Sequence, residues 1–227
     1  MTEFIFSPPE QPFLPVLGQG KRFPVRRIFC VGRNYAAHAA EMGQEVDREA
    51  PFYFTKSAHA LLQSGADMPY PPSTEDLHHE VELVVALGSG GAFLRMDDAL
   101  NHVFGYALGL DMTRRDLQAK AKEKRRPWDI GKDFDNAAII APLTPGQRVP
   151  EGQLTLQVNS ELRQSGMIED MIWSVPEIIA HLSTLYHLCA GDIIMTGTPS
   201  GVGPVVPGDQ LLGALDGLSP VETTILR

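Results

Sequence analysis

The residue types most able to do chemistry in this chain begin with His79-Glu80-Val81-Glu82, which opens an apolar run reaching Leu87. Alternation of Val81, Leu83 and Val85 with Glu80, Glu82 and Val84 predicts a strand over 80–87. Residues at i and i+2 of a strand point to one face, so both carboxylates project together. Parallel carboxylates on an apolar strand repel unless something neutralises them, and a divalent cation does so. Asp111 ends a second apolar run, Phe104 to Leu110, as either a loop-start residue or a third ligand. Three hard oxygen donors suit Mg²⁺, Mn²⁺ or Ca²⁺ better than Zn²⁺. The competing reading makes Glu80 and Glu82 the solvated face of an edge strand.

His38 and Glu41 lie three apart in a segment, Tyr35 to Met42, whose alanines predict a short helix ending at Gly43. At that spacing a carboxylate can orient an imidazole as a general base, although the same pair is also a common helix-surface contact. Arg115 and Gln118 share a helical face by the same spacing. Lys132 stands between Gly131 and Asp133, outside the charge run 114–126, in which Arg114, Arg125 and Arg126 read as solvated. Each of these three taken alone reads as surface. Two glycine-rich stretches are not nucleotide signatures. Gly88-Ser-Gly-Gly is followed by Phe93 where a third glycine belongs, and 197–203 lacks a Lys-Ser/Thr and contains Pro199.

The elements that must position these groups are many short strands and two or three helices without regular βαβ alternation, which argues for an α+β fold. The expected strands are 25–31, 51–56, 80–87, 104–110, 139–141, 154–158 and 193–196, with a hairpin turn at Asn159-Ser160 and a Pro-rich turn at 68–73. Helical composition covers 96–104, 113–124 and 174–188, the last opened by Ser174 as N-cap with Glu177 at N3. Residues 1–24, with five prolines, read as an N-terminal arm carrying one short strand, and 25–227 as a single catalytic domain.

The sequence has 227 residues, 43% hydrophobic and 21% charged, with a formal net charge of −9. That is enough for one sizeable core and too acidic for non-specific nucleic-acid binding. No apolar run is long enough for a membrane helix, and the first ten residues lack a basic n-region and an h-region. Cys30 and Cys189 read as reduced core thiols of a cytoplasmic protein.

The order of these blocks resembles the fumarylacetoacetate hydrolase family from about Arg27 onward. The likeness is carried by Cys30-Val-Gly-Arg-Asn-Tyr-Ala-Ala-His38-Ala-Ala-Glu41-Met, His78-His-Glu80-Val-Glu82-Leu, Gly109-Leu-Asp111-Met-Thr-Arg-Arg115-Asp-Leu-Gln118, Lys132-Asp-Phe-Asp, Thr196-Gly-Thr198-Pro and Gly201-Val-Gly-Pro204. The Pro-rich arm running into Phe23-Pro-Val-Arg-Arg-Ile-Phe-Cys is most like the branch that cleaves fumarylpyruvate. The resemblance implies a mixed β-sandwich roll with a few flanking helices, usually a homodimer. It implies Mg²⁺ or Mn²⁺ on Glu80, Glu82 and Asp111, and a His38–Glu41 dyad on a segment able to act as a lid. Arg115, Gln118 and Lys132 are implied to face the substrate, Thr198 to bind its carboxylate, and Lys56 to line the substrate-tail pocket. Many members follow the equivalent of Lys56 with Pro, whereas Ser57 and Ala58 follow here.

The implied activity is hydrolysis of the carbon–carbon bond of a small anionic 2,4-dioxo acid, fumarylpyruvate giving fumarate and pyruvate. Oxaloacetate decarboxylation and keto–enol or double-bond isomerisation use the same metal–enolate chemistry and stand as alternatives. An idle metal-binding scaffold is the non-enzymatic one.

Overall fold

The computed structural model describes residues 4–37 and 48–227. The helix expected over 35–42, with His38 and Glu41, lies largely outside them.

The strand expected at 80–87 forms as Val81–Leu87, buried at every position, because it runs through the middle of the largest sheet rather than along an edge. It pairs antiparallel with Val103–Asp111 on one side and Asp192–Met195 on the other. Beyond Asp192–Met195 come Arg27–Gly32, in parallel, and Phe52–Lys56, antiparallel. Beyond Val103–Asp111 come Ala138–Ile140 and, in parallel, Leu61–Gln63. The short Thr144–Pro145 also pairs with Val103–Asp111 and brings the sheet to eight strands.

Period-two alternation divides the core between the faces of this sheet. Val81, Leu83, Val85 and Leu87 pack into a large cluster with Leu154, Leu156, Leu211, Val221 and Ile225. Those five come from a second sheet of five strands, in the order Glu161–Met167, Gln153–Val158, Gln210–Ala214, Val221–Leu226 and Met68–Pro69. Val84 and Ala86 face the opposite cluster with Ile28, Cys30, Ile193 and Met195. The architecture is therefore an α+β roll of two packed sheets, as expected.

The N-terminal segment differs from its reading. Instead of one strand it forms two, Phe13–Pro15 and Arg22–Pro24, paired antiparallel, and Leu14, Val16 and Phe23 are buried in the second cluster. Met68–Pro69, expected only as a turn, adds to the edge of the smaller sheet, where proline's missing N–H is tolerated. Residues 96–102 form a 3₁₀ helix, and the helix expected to reach 188 spans Val175–Leu185, opened by the Ser174/Glu177 capping box. It stops where Tyr186 turns extended. Cys30 is buried, whereas Cys189 is only half-buried, and both are free. Among the described residues no helix is long and apolar enough to cross a membrane.

Asp192 ties the parallel pair together. It is fully buried and accepts from Arg26 at 3.0 Å, from Arg27 at 3.0 and 2.6 Å, and from the Cys189 N–H at 2.8 Å. Because both arginines keep solvent exposure, removal of the carboxylate leaves cations that water can rescue, along with an orphaned N–H. Asp192→Ala is expected to cost about 2–3 kcal/mol, lowering the thermal midpoint by roughly 5–10 °C; differential scanning calorimetry at neutral pH checks it.

Candidate metal centre and its cleft

Glu80, Glu82 and Asp111 are all buried, and one ligand oxygen from each lies within 4.8 Å of the others. Strand geometry accounts for two of the three. Glu80 immediately precedes Val81–Leu87 and shares its face with Glu82. The register then places Gly109 opposite Glu82 and Leu110 opposite Val81. Asp111, the last residue of that neighbouring strand, donates its N–H to the Glu80 carbonyl at 2.8 Å. The solvated-edge reading of Glu80 and Glu82 is thus overturned, because the strand has neighbours on both sides.

Three cations equal these carboxylates in number and pair with two of them, Glu80 and Asp111. Lys132 Nζ donates to Glu80 Oε2 at 2.7 Å, Asp111 Oδ2 at 2.8 Å and Thr113 Oγ1 at 2.7 Å, which commits all three of its protons. Burial opposes the Lys132 ammonium, but Asp111 and Glu80 outweigh it and hold its pKa above the ordinary lysine value. Arg115 Nη2 binds Glu80 Oε1, and its Nη1 donates to Gln118 Oε1 at 2.6 Å. Lys56 Nζ lies 2.8 Å from Asp111 Oδ1 and also donates to the carbonyls of Met112 and Lys132.

The Lys56 side chain is fully buried and turned to Asp111, so its ammonium adds a positive charge beside the triad. Lys132 borders the cleft, but its ammonium is turned to the carboxylates. The short helix Asp129–Lys132 that delivers it packs so closely on the helix Arg115–Glu123 that a Cβ on Gly131 would come within 2.9 Å of the Gln118 backbone N.

Glu82 is handled differently. Among the described residues it forms no ion pair, and one oxygen accepts the Gly197 N–H at 2.8 Å. Burial, then the Asp111 and Glu80 carboxylates, push its pKa well above the usual carboxylate range, opposed by Gly197 and Lys132. Asp111 Oδ1, also buried, accepts no hydrogen bond despite the nearby Lys56. A carboxyl driven toward neutrality beside a carboxylate oxygen without a hydrogen bond is a donor set that fits a hard divalent cation. Gly197 is held at φ +98°, where a Cβ would stand 2.7 Å from that of Asn34. Asn34, fully buried, braces this turn through the Thr196 carbonyl at 2.8 Å and both backbone groups of Trp173.

Glu80 and Glu82 border a cleft that is also lined by Arg115, Gln118, Lys132 and Thr198, and by Arg33, Phe54, Lys122 and Trp128. Thr198 owes its orientation to Gln164, a fully buried residue that the sequence reading did not single out. The Val81 N–H donates to Gln164 Oε1 at 3.0 Å, and Gln164 Nε2 donates to the Pro199 carbonyl at 2.9 Å. Those two backbone groups fix which end of the amide is which. Gln164 Nε2 must then donate to Thr198 Oγ1, at 2.8 Å, so the threonine keeps its own proton to donate elsewhere. His79 Nδ1, 2.9 Å from Gln164 Oε1, completes the set as a donor. Gln164 comes from the smaller sheet, 82 positions after Glu82, and no local pattern marks it.

A buried acidic triad in an α+β roll, matched in number by three cations and bordering a polar cleft through Glu80 and Glu82, defines a metal-dependent enzyme centre. Over residues 27–226 the chain matches the family described as fumarylacetoacetate (FAA) hydrolase C-terminal, and it belongs to that family. It is 48% identical over 188 residues to the fumarylpyruvate hydrolase of a Ralstonia species, covering 81% of this chain and 98% of that protein. It is 42% identical over 196 residues to the Homo sapiens mitochondrial oxaloacetate tautomerase FAHD1, covering 85% and 88% of the two chains. The crystal structure of fumarylpyruvate hydrolase from Pseudomonas aeruginosa in complex with Mn²⁺ and pyruvate matches with a TM-score of 0.95 at 45% identity, covering 99% of each chain.

Saturating Mn²⁺, at about a hundred times its Kd, is expected to stabilise the folded protein by about 2.7 kcal/mol, raising the thermal midpoint by roughly 5–10 °C. Glu82→Gln should abolish that rise while leaving the chelated protein no less stable than chelated wild type. A thermal-shift titration of both proteins decides it, and an undiminished rise in the variant would exclude Glu82 as a ligand.

Proposed function

We propose that the protein is a metal-dependent hydrolase of 2,4-dioxo acids, cleaving fumarylpyruvate with water to give fumarate and pyruvate. The observation that carries the reading is the buried Glu80–Glu82–Asp111 triad with its three cations, bordering a cleft of hydrogen-bond donors through Glu80 and Glu82. Glu80, Glu82 and Asp111 hold Mg²⁺ or Mn²⁺, which when bound polarises the 2-keto acid head and stabilises the enolate.

The remaining roles belong to the chain. With Lys56, Lys132 and Arg115 already matching the carboxylates, each charge of an added divalent cation is excess and favours an anionic substrate. Thr198, kept as a donor by Gln164, takes the carboxylate of the keto-acid head. Gln118 accepts from Arg115 through its oxygen, so its amide N–H₂ is free to meet the oxyanion formed at the distal carbonyl. Lys132 keeps Glu80 and Asp111 apart and in place, and does not itself turn to the substrate.

His38, oriented by Glu41, removes a proton from the attacking water; both lie outside the described residues. The tetrahedral adduct collapses by breaking the bond between the distal carbonyl carbon and its neighbouring methylene. The electron pair passes to pyruvate as enolate, which takes up the proton. The enzyme is read as a cytoplasmic homodimer, a reading supported by its two free cysteines and by the usual assembly of the family.

Two measurements test this reading. His38→Ala and Glu41→Gln are each expected to slow hydrolysis by roughly 10²–10⁴ with Mn²⁺ affinity unchanged; wild-type rates in both would remove the dyad. Side-by-side kinetics at one pH and one Mn²⁺ concentration should give fumarylpyruvate a higher kcat/KM than oxaloacetate. The keto-acid head is common to the two, so only the distal carbonyl chemistry separates them. A preference for oxaloacetate, with no pyruvate released from fumarylpyruvate, would assign the protein to the oxaloacetate chemistry of its relatives instead.

A further inference from the structure

Phe54 and Trp128 line the cleft, and Phe52 packs against both of them to make a wall of aromatic rings. The Phe52 and Trp128 ring centres are 4.9 Å apart, and those of Phe54 and Trp128 are 6.0 Å apart. Two cations stand over this wall. Lys122 Nζ lies 4.8 Å from the centre of Trp128, and the Arg33 guanidinium lies 5.7 Å from that of Phe52. Both border the same cleft as Glu80, Glu82 and Thr198. Unlike Lys56, Lys132 and Arg115, neither has an ion-pair partner among the described residues.

Arg115, Gln118 and Lys122 recur at i, i+3 and i+7 along Arg115–Glu123, so they form one stripe of that helix. Seven residues advance about 10 Å along a helix axis. A seven-carbon extended chain spans about 7–8 Å at the carbon spacing of an extended backbone. A fumaryl tail attached to a head at the triad therefore brings its end carboxylate within reach of the Lys122 ammonium. The second carboxylate of oxaloacetate, three bonds from the first, lies only about 4 Å from it and falls short. Burial, then the guanidiniums of Arg115 and Arg33, push the Lys122 pKa down to about 8, and an arriving anion relieves that repulsion.

We propose that Lys122 and Arg33, set over the Phe52–Phe54–Trp128 wall, form a second anion subsite that takes the distal carboxylate of a flat, unsaturated acyl tail and selects dianionic acylpyruvates. The subsite rests on the acylpyruvate reading and extends it from the reaction to the choice of substrate. The aromatic faces take the conjugated tail by stacking while the two cations take its charge.

The experiment compares kcat/KM for fumarylpyruvate and for acetylpyruvate, which shares the head and ends in a methyl group. It uses Mn²⁺-loaded wild type, Lys122→Gln and Lys122→Arg. Lys122→Gln should cut the preference for fumarylpyruvate about tenfold or more, mainly through KM, the loss expected for one charge-assisted bond. Lys122→Arg should retain most of it. An unchanged preference ratio in Lys122→Gln, or equal losses on both substrates, overturns the subsite. Should that variant not fold, inhibition of wild type by fumarate and by crotonate keeps the question open to test. Fumarate should bind about tenfold or more tightly than crotonate, which replaces the second carboxylate by a methyl group, and equal binding overturns the subsite. Wild type that cleaves neither acylpyruvate would instead overturn the hydrolase reading, and the subsite with it.

Discussion

Three carboxylates buried within 4.8 Å of one another cannot be left uncompensated in a protein interior. Much of the molecule is arranged around that electrostatic constraint. Lys132 reaches Glu80 and Asp111 from a short helix that packs against the Arg115–Glu123 helix only because Gly131 has no side chain. Lys56 comes to Asp111 from the edge strand Phe52–Lys56, and Arg115 comes to Glu80 from the first turn of its helix. With the protein's own charges nearly balanced, a bound divalent cation makes the centre an attractor for anions inside a chain whose overall charge is −9.

The two sheets divide the work. The larger one supplies the acids, with a register that sets the Glu80–Glu82 face beside the end of Val103–Asp111. The smaller one supplies orientation. Gln164 crosses from it to satisfy the Val81 N–H and the Pro199 carbonyl, and by doing so settles the direction of the Thr198 hydroxyl. A polar group buried this deeply is fully satisfied or costly, and one of its contacts, Thr198, borders the cleft.

Some of this was legible in the sequence. The shared face of Glu80 and Glu82 follows from strand alternation, the Arg115–Gln118 pair from helical spacing, and the Val175–Leu185 helix from its capping box, all of them local rules. What local rules could not show is burial. Glu80 and Glu82 fit a solvated edge equally well until the strand has neighbours on both sides, and Asp111 joins them only through pairing with Val81–Leu87. The Lys56–Asp111 contact and the place of Gln164 escape local rules for the same reason, since their partners lie 55 and 83 positions away, at Asp111 and Val81. The N-terminal hairpin was read short because its prolines hide two strands whose burial depends on the rest of the core.

The central claim, that the triad serves hydrolysis of a carbon–carbon bond, is tested most directly by isotope incorporation. Fumarylpyruvate is turned over in H₂¹⁸O, with Mn²⁺ and again after exhaustive chelation, and the products are analysed by mass spectrometry. Fumarate carrying one ¹⁸O per turnover is expected with Mn²⁺ present, and no turnover after chelation. Fumarate released without label, or labelled at the same rate in the chelated protein, would contradict that claim.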